Sequence, residues 1–258
     1  MIPFYTVVTV CYNSCNELKK TSRSILEQTC MDFEWIIQDG NSTDDTKVFC
    51  KSIIEKNDSI SYYSCDDNGI YDAMNKALDN ANGEYVIFMN AGDIFFDANV
   101  LENTKKVIDR EKKGIYYGNV VEVGKDNASL RVYSKKNSKL WYYALGACLN
   151  HQAMFCYRGL FEKNRFDDRL KVCADREWQM NMIYNGANAV PLNITVATVL
   201  MDGFSSANID LLEKETDMCV KRYCGCFYIM YRIIQIIKKN EMFHNIIIIF
   251  ERIISKRK

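Results

Sequence analysis

Proline is almost missing from this 258-residue chain, with two residues, and glycine stops at twelve. Collagen-like and low-complexity architectures, which depend on those residues, are thereby excluded. Histidine is as scarce, with two residues, so a histidine-rich metal site is excluded as well. No apolar run approaches the roughly 20 residues of a membrane-spanning helix, and the chain is not expected to cross a bilayer. Residues 1–12 have neither a basic leader nor a small-residue cleavage site, which points to the cytoplasm. Net charge is missing too: 33 Lys and Arg balance 33 Asp and Glu. Hydrophobic residues at 48% and charged residues at 26% belong to a folded globular chain, not a disordered one. This length suits one large domain or two small ones, with a real core.

Cysteine, by contrast, is plentiful. The eleven are scattered, mostly among apolar neighbours, and no CxxC pair occurs. Cys224-Gly225-Cys226 lacks a second cysteine or histidine pair to complete a zinc site. We read them as reduced, small hydrophobes of a cytosolic protein. The balanced charge also hides an asymmetry. Residues 1–100 carry 7 basic and 16 acidic side chains (net −9), residues 101–210 carry 16 and 12 (net +4), and residues 211–258 carry 10 and 5 (net +5). An acidic first third argues against nucleic acid as a partner, because phosphate binding needs a basic footprint. It suits a site that holds a divalent cation.

Residues 5–10 form a β-branched, nearly unbroken apolar run, the pattern of a strand buried on both faces. Ser14-x-x-Glu17 reads as a capping box opening a helix whose buried stripe is Leu18, Ser22, Ile25, Leu26 and Thr29. Further strands are expected at 33–38, 60–64 and 85–89. Between them, one helix is carried by Val48, Phe49, Ile53 and Ile54, and another near 70–81 buries Met74, Ala77, Leu78 and Ala81. The first 90 residues therefore alternate βαβαβαβ, which implies right-handed crossovers and a mostly parallel sheet with helices on both faces. Ligands of such sheets sit beyond the carboxyl ends of the strands. Tyr12-Asn13, Asp39-Gly40 and Asn90-Ala91-Gly92-Asp93 all fall there and are expected to meet in one cleft. The second half is less regular. It predicts a helix near Asp97, a hairpin of 115–123 and 130–133 around Gly124-Lys125-Asp126-Asn127, and a strand at 153–157. A helix from about Asp175 has Trp178 and Met182 on one face, 189–200 is β-rich, and the pattern is helical from Asp210 onward.

Several of these polar clusters can do chemistry, and each has a plain structural alternative. Asp93 can coordinate Mg²⁺ or Mn²⁺, or can simply end a strand in a turn. Asp39 sits at a strand tip, where a carboxylate accepts hydrogen bonds from a base or ribose or else supports a turn. Asp67, Tyr71, Asp72, Asn75 and Lys76 crowd one helix start, a place that favours phosphate, although each can be a cap or a solvated face. His151, beside Gln152, is a lone histidine, a type more often structural than catalytic. Asp175 opens a helix as a cap or serves as a general base. A hydride-transfer enzyme would also begin βαβ but needs GxGxxG; Cys11-Tyr12-Asn13-Ser14-Cys15 contains no glycine.

Four ordered motifs carry a resemblance. Thr6-Val-Val-Thr-Val-Cys-Tyr-Asn13, Ile36-Ile-Gln-Asp-Gly-Asn-Ser-Thr-Asp-Asp-Thr46, Asp67-x-Gly-Ile-Tyr-Asp-Ala-Met-Asn-Lys76 and Ala81-x-Gly-Glu-Tyr-Val-Ile-Phe-Met-Asn-Ala-Gly-Asp93 resemble family 2 glycosyltransferases with the GT-A fold. The likeness is strongest to the branch that builds capsular, exopolysaccharide and O-antigen chains, and it spans residues 5 to about 205. It implies an α/β, Rossmann-like GT-A fold with a mostly parallel mixed sheet flanked by helices over residues 1–210. A nucleotide-sugar half at 1–98, an acceptor half at 99–210 and a C-terminal helical extension at 211–258 are expected. The implied activity is inverting transfer of a sugar from a nucleotide-sugar to a hydroxyl of a lipid-linked or growing glycan. By motif match Thr9, Tyr12, Asn13 and Asp39 hold the nucleoside, while Asp67, Gly69, Tyr71, Asn75 and Lys76 serve the donor pocket and its diphosphate. Asn90 and Asp93 match the metal-binding segment, Asp175 the base, and His151 and Gln152 lie near the acceptor or diphosphate. Two departures stand out. The usual Asp-x-Asp is here Asn90-Ala91-Gly92, leaving Asp93 as the one carboxylate, and Asp175 is followed by Arg176 instead of being paired with an acid before it. The eroded metal motif keeps an alternative open: a non-catalytic nucleotide-sugar-binding or membrane-scaffold protein of the same fold.

The tail holds two apolar segments of helical length, 226–237 and 242–254, broken by Arg232, Lys238, Lys239, Glu241 and Arg252, and the chain ends Ser255-Lys-Arg-Lys258. Packing on the catalytic domain, or a homodimer, would account for them. Five consecutive apolar residues at 246–250 and a basic rim favour a helix lying on an anionic membrane surface. The protein is then peripheral at the inner face of the cell membrane, where the resembling enzymes meet lipid-linked acceptors.

Overall fold

The computed structural model describes residues 2–124, 128–133, 135–146, 148–200 and 208–239. Strand β1 (Tyr5–Cys11) is buried along its whole length, as an unbroken apolar run requires. It lies parallel between β2 (Phe33–Asp39) and β4 (Tyr85–Phe88), and β2 pairs in parallel with β3 (Ile60–Ser64). Helices α1 (Cys15–Leu26), α2 (Thr46–Ile54) and α3 (Ile70–Leu78) make the connections, so the expected βαβαβαβ order is present. Cys11 pairs with Asp39, which leaves the tips of β1 and β2 level. The ladder continues into the loops, where Gly40 N–H donates to the Cys11 carbonyl at 2.9 Å and Cys65 N–H to that of Asp39 at 3.0 Å.

Beyond β4 the chain forms β5 (Ile94–Phe95), α4 (Val100–Val107), β6 (Gly114–Val123), β7 (Ala128–Arg131) and α5 (Leu140–Ala144). It goes on through β8 (Met154–Tyr157), α6 (Ala174–Tyr184), β9 (Asn188–Leu200), α7 (Ile209–Tyr223) and α8 (Phe227–Lys239). One sheet holds every strand in the order β3-β2-β1-β4-β8-β6-β9-β5, with β7 paired to β6. The hairpin is the β6–β7 pair; its residues 125–127 lie outside the described residues. The parallel run ends at β4, because β8 is antiparallel to both β4 and β6. This pairing positions the site. An antiparallel β8 must begin where β4 ends, so His151 and Gln152, just before β8, stand beside Asn90 and Asp93, just after β4.

Local expectations differ from the structure in three places. The capping box is not formed: Ser14 Oγ is buried with no hydrogen-bond partner. Asp44 takes over, accepting from Cys15 N–H at 3.1 Å and Thr46 N–H at 3.0 Å, the starts of two helices. A carboxylate within reach of two such starts outcompetes a hydroxyl in its own turn. On α1, Leu18, Ser22 and Ile25 are buried as expected, but Leu26 and Thr29 are exposed and Thr21 and Gln28 are buried instead. The cause is polar. Thr21 and Gln28 hydrogen-bond the backbone of Asn90, Asp93, Asp97 and Leu101, which sets the rotation of the helix. On α2, Val48 is exposed while Thr46 and Cys50 are buried.

Helix α7 is bound to the segment that precedes α6. The buried Glu215 carboxylate accepts consecutive backbone N–H groups from Lys171, Val172 and Cys173 at 2.8, 2.9 and 2.9 Å. Arg176 donates to Thr216 at 2.8 Å, and Tyr223 and Arg222 bond Glu177. On α8, Tyr231 is buried, whereas Ile229, Ile233 and Ile236 share one exposed face. No helix of the described residues is long and apolar enough to cross a membrane. The expected segment at 242–254 and the closing basic residues lie outside the described residues.

Candidate active site

A cavity of about 520 Å³ opens beyond the carboxyl ends of β1 and β4. Cys11, Tyr12, Ser14, Asn90 and Ala91 form its strand-tip wall, and Asp67, Asn68, Gly69, Ile70 and Tyr71 surround the start of α3. Asp168, Leu170 and Lys171 close the facing side. Two glycines shape it. At Gly40 a Cβ would lie 2.5 Å from Asp67 Oδ2, so only glycine lets that carboxylate approach the β2 tip. Gly69, at φ 123°, makes a turn into α3 that an L side chain resists.

The strand tips converge, but several motif residues face the protein instead of the cavity. Thr9 is fully buried; its hydroxyl accepts from Trp35 Nε1 at 2.9 Å and donates to the Met89 carbonyl at 2.7 Å. Asn13 stitches two loops, donating its N–H to Ser42 Oγ and accepting Thr43 N–H on Oδ1, both at 2.8 Å. Asp39 is a buried hub that accepts from the Ser42 N–H and hydroxyl, from Tyr62 OH at 2.7 Å and from Ser64 Oγ at 2.9 Å. Asn75 is tied to Phe166, donating to its carbonyl at 2.9 Å and accepting its N–H at 3.0 Å. Lys76 bonds Asp72 at 2.9 Å and the Asp66 carbonyl at 2.7 Å, outside the cavity lining. Tyr12, 64% exposed, and Asp67, Gly69, Tyr71 and Asn90 do line the cavity.

A chain of hydrogen bonds joins the two walls. Tyr71 OH donates to the Val172 carbonyl at 2.9 Å and to Asp175 Oδ1 at 3.0 Å. Asp175 Oδ2 lies 3.1 Å from His151 Nδ1, and His151 Nε2 lies 3.2 Å from the Asn90 amide nitrogen. Asn90 Oδ1 is buried with no hydrogen-bond partner. Gln152 Nε2 donates to both oxygens of Asp93 at 3.3 and 3.2 Å, and Asn90 N–H reaches Asp93 Oδ2 at 3.2 Å. Behind this chain, Phe161 stacks on Trp178 with ring centroids 4.4 Å apart, beside a void of only about 10 Å³. The seat of Asp175 is therefore close-packed.

Charge follows from these contacts. Burial works to raise Asp175, but the His151 bond and charge, with help from Arg176, outweigh it and hold the carboxyl below its usual range. Burial opposes charging of His151, yet the bond to Asp175 and the charges of Asp175 and Asp93 raise it above its ordinary value. Asp93 is pushed up to about 6 by burial, which His151, Gln152 and Asn90 offset only in part.

Comparison with known proteins gives the family and the fold. The family described as "Glycosyl transferase family 2" matches residues 6–165. The chain belongs to that family. A "PGL/p-HBAD biosynthesis glycosyltransferase" of Mycobacterium bovis is 27% identical over 219 residues, 83% of this chain and 82% of the relative. Among solved structures, S. aureus TarS 1-349 in complex with UDP superposes with a TM-score of 0.65 at 16% identity, covering 92% of this chain and 75% of that one. The mannosyltransferase PcManGT from Pyrobaculum calidifontis, in complex with GDP-Man and Mn²⁺, gives 0.62 at 20% identity over 81% of this chain and 61% of its own. The fold of this glycosyltransferase is thus GT-A.

Within that fold the eroded metal motif can be weighed on its own atoms. Among the described residues no three acidic, histidine or cysteine side chains converge. A hard cation bound with a diphosphate, however, takes one or two protein oxygens and fills its shell with phosphate and water. The unpartnered Oδ1 of Asn90, whose backbone N–H bonds Asp93, fits a site of that kind. Three residues lining the cavity escaped the sequence reading, Ser14, Asp168 and Lys171, and so did Glu215, which holds the backbone of Lys171 from behind. The charge run Asp167-Asp168-Arg169-Leu170-Lys171, shortly before Asp175, was the available signal. Glu215 had none, because its partners lie more than forty residues away.

Proposed function

We propose that this glycosyltransferase moves a sugar from a nucleotide-sugar to an acceptor hydroxyl with inversion, and that Asp175 is its base. The observation that carries the reading is that Asn90 and Tyr71, which line the cavity, are both bonded to the Asp175 carboxylate behind them, Tyr71 directly and Asn90 through His151. Tyr12 and Asp67 line the part of the cavity suited to the nucleoside. Tyr71 and His151 hold the carboxylate in one orientation and keep it ionised, the state in which a base takes up the hydroxyl proton. With Asp175 as base and the hydroxyl attacking directly, an in-line displacement inverts the anomeric centre. Asn90 and Asp93 would hold Mg²⁺ or Mn²⁺, which when bound neutralises charge on the leaving diphosphate. The sequence resemblance favours a lipid-linked or growing surface glycan as acceptor. The exposed Ile229, Ile233 and Ile236 on α8, together with the basic residues after them, support docking on an anionic membrane.

The test is release of nucleoside diphosphate when an acceptor is added. Asp175→Asn should slow it about 10²–10⁴-fold with donor binding intact, and NMR of the product should show the inverted anomer. Donor binding without release, in the wild type, would favour the non-catalytic reading. EDTA and Asp93→Ala should both stop transfer; activity that survives both removes the cation. A protein truncated before residue 226 should leave anionic vesicles, and if it still pellets with them the stripe is a packing or dimer surface.

A further inference from the structure

A nucleotide-sugar brings a diphosphate into a cavity lined by two carboxylates, Asp67 and Asp168. The lysine that the motif assigns to it is occupied elsewhere, because Lys76 pairs with Asp72 outside the lining. Among the described residues Lys171 is the one basic side chain that lines the cavity. Its Nζ donates to the carbonyls of Asn68 and Asp168, each at 3.0 Å. Both partners are neutral, so the ammonium enters the cavity with its charge uncompensated by an ion pair and one of its three N–H donors unassigned. Asn68 belongs to the loop before α3 and Asp168 to the loop before α6. Lys171 therefore stands between the two walls. Its backbone is held in place, since its N–H donates to the buried Glu215 carboxylate at 2.8 Å.

We propose that Lys171 is the cationic contact for the diphosphate of the donor, and that in the empty enzyme it ties the facing loops together. The inference rests on the nucleotide-sugar reading above. An anionic phosphate oxygen is a stronger acceptor for an ammonium than a peptide carbonyl, so the donor can recruit the free N–H and draw the other two from their carbonyls. A diphosphate carries more of this charge than a monophosphate, and a nucleoside carries none. The lysine should thus discriminate among the three.

The measurement is calorimetric titration of the full chain with UDP, GDP and dTDP, each beside its monophosphate and nucleoside. The wild type should bind one diphosphate more tightly than its monophosphate. Lys171→Gln should weaken that diphosphate about tenfold or more, the worth of one charged hydrogen bond, and leave the nucleoside unchanged. Lys171→Arg should restore most of the loss, and Lys76→Gln should bind as the wild type does. If Lys171→Gln leaves the diphosphate unchanged, or weakens diphosphate and nucleoside equally, the residue is only a loop tie and the proposal falls. A wild type that binds none of the three diphosphates overturns the nucleotide-sugar reading itself, and this inference with it.

Discussion

Around the cleft, Thr9, Asn13 and Asp39 spend their polar atoms on protein partners, while opposite the strand tips Lys171 lines the cavity and His151 and Asp175 form a bonded pair behind Asn90 and Tyr71. The difference has a structural origin. Past the strand tips the ladder gives out within a residue, and polar residues there bond the neighbouring loops and strands. The facing wall comes from irregular segments far apart in sequence, whose side chains are anchored by α7 and by the aromatic cluster. Motif residues at the tips therefore act first as scaffold, and much of the available chemistry sits opposite them.

The sharpest way to break this comparison is Asp39→Ala. It removes the buried acceptor shared by Ser42, Tyr62 and Ser64 and should cost about 3–5 kcal/mol in urea unfolding. A variant of wild-type stability that has lost only donor affinity would return Asp39 to the binding surface. Next comes Glu215→Ala, which leaves three backbone N–H groups without their acceptor. About 2–4 kcal/mol should be lost, together with kcat, because the segment carrying Lys171 and leading to Asp175 is released. Unchanged kcat in that variant would mean that α7 does not order the facing wall. Tyr71→Phe keeps the ring and removes one bond to Asp175, so kcat should fall about tenfold at unchanged donor affinity. An equal change in both would make Tyr71 part of the donor pocket. Smallest of all, Lys76→Gln should alter stability by about 0.5 kcal/mol, as for a half-buried i,i+4 helix pair, and leave transfer unaffected.

Much of the architecture was legible from local pattern. The strands around β1, the helix at Asp175 and the place of the cleft follow from apolar periodicity and from turn residues at strand ends. Tyr12, Asp67 and Asn90 were recognisable as cavity residues for the same reason. Asn75 and Lys76 were not separable from them, since they stand in the same motif on the same helix. Only the partner decides, and Phe166 is 91 residues from Asn75.

By itself, then, the sequence determined the βαβ alternation, the family and the strand ends at which a ligand is met. These depend on near-neighbour sterics and on the burial of apolar faces, which operate over a few residues. The tertiary structure alone decided which polar atoms remain available there. The antiparallel entry of β8 brought His151 to Asn90, and Glu215 fixed the backbone of Lys171 from another helix. A buried polar group must find its partners wherever the fold supplies them. That is why Asp39 became scaffold while Lys171, in an unremarked charge run, came to line the cavity.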